Sequence, residues 1–250
     1  MIGEQPSGFD PSRGSPRPAH EPAATDFRMQ ILATEHWSLL ATRSLTYTEL
    51  FSRVSMFLTV LTGAVVSLAL IAQADRFGTT FVLISILVLS VVVFVGVATI
   101  VRLAGLNRDD MRWVIGMNRI RHAYLELHPE LEPYFVTGQY DDIRGIFLTL
   151  GLDSLPNRSR LMVLHGVQTL PGMLSVVVSV VVGALGALVV VAVTGSPEPA
   201  VAAAIVGFLL SVFAFYFWGT RTVRYRTVLE PRFPQPPVAE KPTPAPAPPR

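Results

Sequence analysis

Apolar residues in this chain are gathered into four long blocks separated by polar stretches; they do not recur at the two-residue period of a strand. Residues 54–74, 79–101, 172–193 and 200–218 contain no Asp, Glu, Lys, Arg or His. Each block is about 20 residues long, which at about 1.5 Å per residue crosses a hydrocarbon core of about 30 Å. Short polar breaks at 75–78 and 195–199 join the blocks in pairs. The pattern therefore predicts an all-α membrane protein whose four transmembrane helices form two antiparallel hairpins, 54–101 and 172–218. Amphipathic or cytoplasmic helices are expected before the first hairpin and between the two.

The flanking stretches carry a different pattern. Residues 1–25 hold Pro6, Pro11, Pro16, Pro18 and Pro22 among scattered charges and no apolar run, so they are expected to be disordered and not a signal peptide. From Asp26, a candidate N-cap, residues 26–53 read as an amphipathic helix with Ala33, Trp37, Leu40, Ser44, Tyr47, Phe51 and Val54 along one face. Glu49 and Arg53 stand one turn apart in the favourable order. In the insert 102–171, Gly105 and Asn107 interrupt the apolar pattern, and Asn107 followed by Asp109 and Asp110 predicts a new helix start. That helix should end at His128, before Pro129. Its apolar stripe is Trp113, Met117, Ile120, Tyr124 and Leu127, and the stripe of helix 26–53 is the expected partner. A connector over 129–138 precedes a short helix at 140–150 with Asp141 and Asp142 in its first turn. A turn-rich stretch at 151–160 and an interfacial helix at 161–170 should lead to Pro171-Gly172 at the mouth of the third span. After the aromatic cluster Phe213, Phe215, Tyr216, Phe217 and Trp218, residues 219–250 are basic and then proline-rich, and predict an extended, disordered tether.

Charge decides the threading. Five cations precede the first span, eight lie in 102–171 and six follow residue 218, whereas Arg76 alone lies in the two short breaks. Positive-inside counting places both termini and residues 102–171 in the cytoplasm of a multi-pass inner-membrane protein. The net charge of +2 is too small to suggest a nucleic-acid partner. The chain has no cysteine, which excludes disulfides, thiolate metal sites and cysteine nucleophiles.

No pattern for catalysis emerges, so no catalytic residue, metal ligand or cofactor is assigned. The phosphate-loop, dinucleotide and nucleophile-elbow signatures are missing, and the histidines lack metal-ligand spacing. The spans have no ionisable group of the kind that ion-coupled transport uses. Asp109-Asp110 and Asp141-Asp142 fit helix N-termini better than magnesium. Two features remain. Ser55, Thr59, Gly63 and Ser67 on the first span, and Ser175, Ser179, Gly183 and Ala187 on the third, fall at every fourth position and predict close helix packing or self-association. The two stripes superpose on a shift of 120 positions, as a duplicated hairpin would give, but the second and fourth spans align poorly, which counts against duplication. Arg112, Arg119 and Arg121 share a helix with Trp113 and Tyr124, a set suited to anionic lipid headgroups or to a stacked, phosphorylated ligand.

The strings RMQILATEHWSLLATRS, RIRHAYLELHPELEPYF and GQYDDIRG resemble a group of four-span integral membrane proteins of GC-rich actinobacteria, over most of residues 26–220. That resemblance implies location and layout, not an activity. An amphipathic helix, a two-span hairpin and a cytosolic helical segment also resemble, in layout alone, SLATT modules, two-span pore formers linked to nucleotide signals; the second hairpin departs from them. The expected function is a non-enzymatic, self-associating structural or interaction protein in contact with the lipid bilayer. The alternative is a ligand-responsive pore whose cytoplasmic helices sense a nucleotide-like ligand.

Overall fold

A computed structural model describes residues 20–152, 169–224 and 230–236. The described residues are helical apart from short connections, and four helices are long and apolar enough to cross a membrane. Helix α1 spans His20–Asp75 and α2 spans Thr79–Leu127. A 3-10 turn over Pro129–Tyr134 and the short α3, Ile143–Thr149, follow. Helices α4, Leu170–Thr194, and α5, Glu198–Arg224, complete the order.

Both long helices run through positions where polar or flexible residues predict a boundary. Helix α1 starts at His20, so Asp26 lies inside it and caps nothing; Pro22 is tolerated because a first-turn N–H has no intrahelical partner to lose. Helix α2 likewise continues through Gly105 and Asn107. A mid-helix glycine costs about 1 kcal/mol. Leu103 and Leu106, at 0% and 3% exposure, flank it, and each stabilises the packed helix by about 2 kcal/mol through burial, which outweighs that cost. Hydroxyls on the long helices are satisfied locally: Thr34, Thr42, Thr46, Thr59, Ser67, Ser90 and Thr99 each donate to the carbonyl four residues back.

Helix α2 is central. As α1 advances its partners recede along α2: Arg43 meets Asp110, Glu49 meets Arg102, and Phe57 lies at Gly96. Phe57, Val92, Ile100, Leu103, Leu174 and Val178 form the main core, which joins α1, α2 and α4. A Cβ on Gly96 would lie 2.5 Å from Val178 and 2.9 Å from Phe57, so the three helices meet there only because that side chain is missing. Helices α4 and α5 approach as closely at Gly183, where a Cβ would lie 2.7 Å from the Ala204 carbonyl oxygen. Ser179, fully buried, shares a hydroxyl–hydroxyl hydrogen bond with Ser211 at 3.1 Å across the same seam.

The connections follow local chemistry. In the turn between α1 and α2, Arg76 and Phe77 take positive φ values of 48° and 62°, and the Asp75 carboxylate accepts from Phe81 N at 2.7 Å, which caps α2. Helix α2 ends as Pro129 requires. Thr169 caps α4, Pro171 sits in its first turn, and Gly195 closes it in the left-handed conformation at φ 69°. The turn-rich stretch and interfacial helix expected over 151–170 lie outside the described residues, apart from the ends of that interval, as do residues 1–19 and most of the tail.

The packed face of α1 differs from the expected one. His36, Leu39, Arg43, Thr46, Leu50 and Phe57 turn towards α2, whereas Trp37, Leu40, Tyr47 and Phe51 are exposed. The expected face is displaced by about one position. Apolar periodicity chose it, but α2 presents Asp110 as well as leucines, and the pairing of Arg43 with Asp110 lies on the packed face together with Leu39, Leu50 and Phe57.

Candidate functional site

Outside the apolar bundle, α1, α2, α3 and the tail share a layer of polar contacts. Its first part is a seam between α1 and α2. Arg43 donates Nε to Asp110 Oδ1 at 2.7 Å and Nη2 to Oδ2 at 3.3 Å, and the Tyr47 hydroxyl donates to Oδ2 at 3.3 Å. Asp110 is therefore no helix N-terminal acid, as the sequence suggests, but the buried anion of a two-pronged ion pair. Burial opposes the charge on Arg43, but Asp110 and Tyr47 outweigh it and hold its pKa above the ordinary value. Farther along the seam, burial and then the nearby Arg121 lower the pKa of His36, and burial and then Arg43 lower that of Arg121. Glu49 and Arg53 do pair, at 3.6 Å, although Arg102 holds the same carboxylate more closely at 2.8 Å.

The second part is centred on Asn118, which has no exposed surface. Its Nδ2 donates to the Tyr140 carbonyl at 2.8 Å, and its Oδ1 accepts from Thr149 at 2.8 Å and from Arg121 at 2.9 Å. Thr149 in turn accepts from Gly138 N at 3.1 Å. One amide thus ties α2 to α3 and to the chain before it. Asp142 caps α3 by accepting from Gly145 N at 2.8 Å, as its place in the sequence predicts.

Asp141 has a different task. Its side chain is fully buried and accepts from Arg119 Nε, Arg232 N and Phe233 N, each at 2.8 Å. Asp141 N donates back to the Phe233 carbonyl at 3.2 Å, and Gln235 N donates to Asp142 Oδ2 at 3.2 Å. The Phe233 ring lies 4.4 Å from His122, which also faces Tyr140. Burial raises the pKa of Asp141, but the N–H donors of Arg232 and Phe233, followed by Arg119, overcome that effect and leave it below the ordinary carboxylate value. So held, the group is an acceptor for peptide N–H groups and not a proton-transfer base. Residues 230–236 are consequently docked, a correction to the tether expected throughout 219–250.

The arginine-and-aromatic set does not converge. Arg112 is exposed and pairs with Asp109 at 3.6 Å; Arg119 is engaged by Asp141; Arg121 faces Asn118 and the seam. Helical geometry separates Arg112 and Arg121 by about half a turn, on opposite faces. Trp113 Nε1 is buried without a partner among the described residues, and Tyr124 faces His36 with ring centroids 6.5 Å apart. Among the described residues no group of three His, Asp or Glu is placed to hold a metal ion.

The small-residue stripes also diverge. Ser179 and Gly183 are buried against α5, and Ser175 and Ala187 are partly covered. Ser55, Thr59, Gly63 and Ser67 are exposed, and a Cβ on Gly63 would meet nothing within 4 Å. Sequence reasoning missed Gly96, Asn118 and the Arg43–Asp110 pair; the one available signal was an asparagine one turn after Val114 and Ile115 on the helix.

No family model, curated protein or solved structure matches the chain.

Proposed function

We propose that the chain is a non-enzymatic, multi-pass inner-membrane protein that associates with copies of itself through the small-residue face of its first span. In this reading α1 with α2, and α4 with α5, form antiparallel hairpins across the bilayer, and residues 102–171 and both termini face the cytoplasm. The observation that carries it is the open stripe on α1. The equivalent stripe on α4 is closed by α5, whereas Ser55, Thr59, Gly63 and Ser67 offer a shallow surface whose Thr59 and Ser67 hydroxyls are already bonded within the helix. In lipid there is no hydrophobic drive between helices, so close approach of small residues is what favours association. The apolar windows of the four long helices are only 11%, 22%, 22% and 6% buried, which leaves surface for lipid and for further copies. The distribution of arginine supports the orientation.

Gly63→Leu is the direct test, with subunit number read by single-molecule photobleaching in vesicles. Self-association should weaken by about tenfold or more, in line with the loss of a close helix contact. Thermal stability of the chain itself should not fall, because a Cβ at Gly63 would meet nothing within 4 Å and a mid-helix glycine is removed; unchanged association would overturn the reading. Orientation is checked in intact cells, since the chain has no cysteine of its own. An impermeant thiol reagent should label Ser196→Cys and spare Tyr124→Cys, and the reverse result inverts the threading.

A further inference from the structure

The docked tail has a feature that depends on the spacing of its prolines. In Pro231-Arg232-Phe233-Pro234-Gln235-Pro236 the prolines remove the N–H at 231, 234 and 236 and favour an extended backbone. Three N–H groups remain, at 232, 233 and 235. All three donate to the carboxylates of Asp141 and Asp142, and the single returning bond runs from Asp141 N to the Phe233 carbonyl. Phe233 is the one partly buried side chain of the segment and lies against His122; its neighbours are exposed. Recognition therefore rests on main-chain donors and one ring, as in peptide grooves that read an extended segment.

We propose that Arg119, His122, Tyr140, Asp141 and Asp142 form a binding groove for an extended, proline-flanked peptide, filled in cis by residues 231–236 as a releasable strap. Each acceptor of the groove also has a partner outside the strap. Arg119 fixes Asp141, and the start of α3 fixes Asp142. The strap contributes few contacts, so its hold depends on the high local concentration that tethering gives, on the order of mM for a short linker. It ties the chain following α5 to α2 and α3, across more than 90 residues of sequence.

The test uses the full-length protein and a fluorescent peptide with the sequence of residues 230–236. Arg232→Pro removes one strap N–H and changes no residue of the groove, and circular dichroism checks that the helices are retained. A hydrogen bond to a charged group changes affinity by about tenfold or more. The peptide should therefore bind the Arg232→Pro protein about tenfold more tightly than the native protein. Methylation of the peptide nitrogen at the Phe233 position should weaken its binding to the variant by about tenfold. A spin label on Gln235→Cys should be restricted in the native chain and freed when Arg232→Pro is added. Equal binding to both proteins, no binding to the variant, indifference to methylation, or a label equally restricted in both chains overturns the proposal.

Discussion

Residues 54–101 and 170–218 meet through apolar side chains and missing ones, whereas 36–53, 110–150 and 230–236 meet through matched donors and acceptors. In the first region Gly96 and Gly183 let backbones approach, and contact depends on volume. In the second, Asp110, Asn118 and Asp141 each accept from groups far away in the chain, and contact depends on charge and hydrogen-bond geometry. The contrast follows from the expected surroundings. A bilayer offers no alternative hydrogen bonds, so most hydroxyls in the spans bond within their own helix, Ser179 with Ser211 being an exception between helices, and shape is left to select neighbours. Where water competes, a buried carboxylate persists only with its full set of donors.

Each region should consequently fail under a different perturbation. The largest effect is expected from Gly183→Leu, whose side chain would be forced against the α5 backbone at Ala204. Over-packing of this kind costs about 3 kcal/mol. Unfolding in mixed micelles should show that loss while the Arg43–Asp110 seam remains intact. Asn118→Ala should act only on the polar layer, leaving the Tyr140 carbonyl and Arg121 without a partner, at a cost of about 2 kcal/mol. Faster amide exchange in α3 with unchanged protection in α4 is the measurement that checks it.

Acid should produce a smaller effect with the same selectivity. His36 and Asp141 both have lowered pKa values in the folded chain, so their stabilising contributions are complete above the ordinary values of 6.5 and 3.8. Each is lost as pH falls through the lower folded value. Thermal unfolding of the polar layer should decline in two steps, the first removed by His36→Leu, while the apolar bundle shows neither.

Much of the fold was readable because it is set by local pattern. The four apolar blocks lack ionisable groups, Pro129 stops α2, Asp142 caps α3, and Gly195 closes α4. Local signals and the fold part where long-range packing opposes them. Gly105 and Asn107 resemble a boundary, yet burial of Leu103 and Leu106 carries α2 through. Trp37, Tyr47 and Phe51 resemble a packing face, yet Arg43 must face Asp110. The arginine-and-aromatic set looked like one site because its members are near in sequence, but helical rotation sends Arg112 and Arg121 to opposite sides.

The order of residues alone therefore determined where the chain can enter a bilayer and that helices stop at Pro129 and Gly195, since these depend on hydropathy and on backbone groups within a few positions. Tertiary structure decided which face of α1 is covered, which of two similar stripes stays open, and that Asp141 holds the tail. The reason is that the energy of such contacts belongs to pairs: Arg43 and Asp110 stand 67 positions apart, and neither residue marks the other until the helices between them have packed.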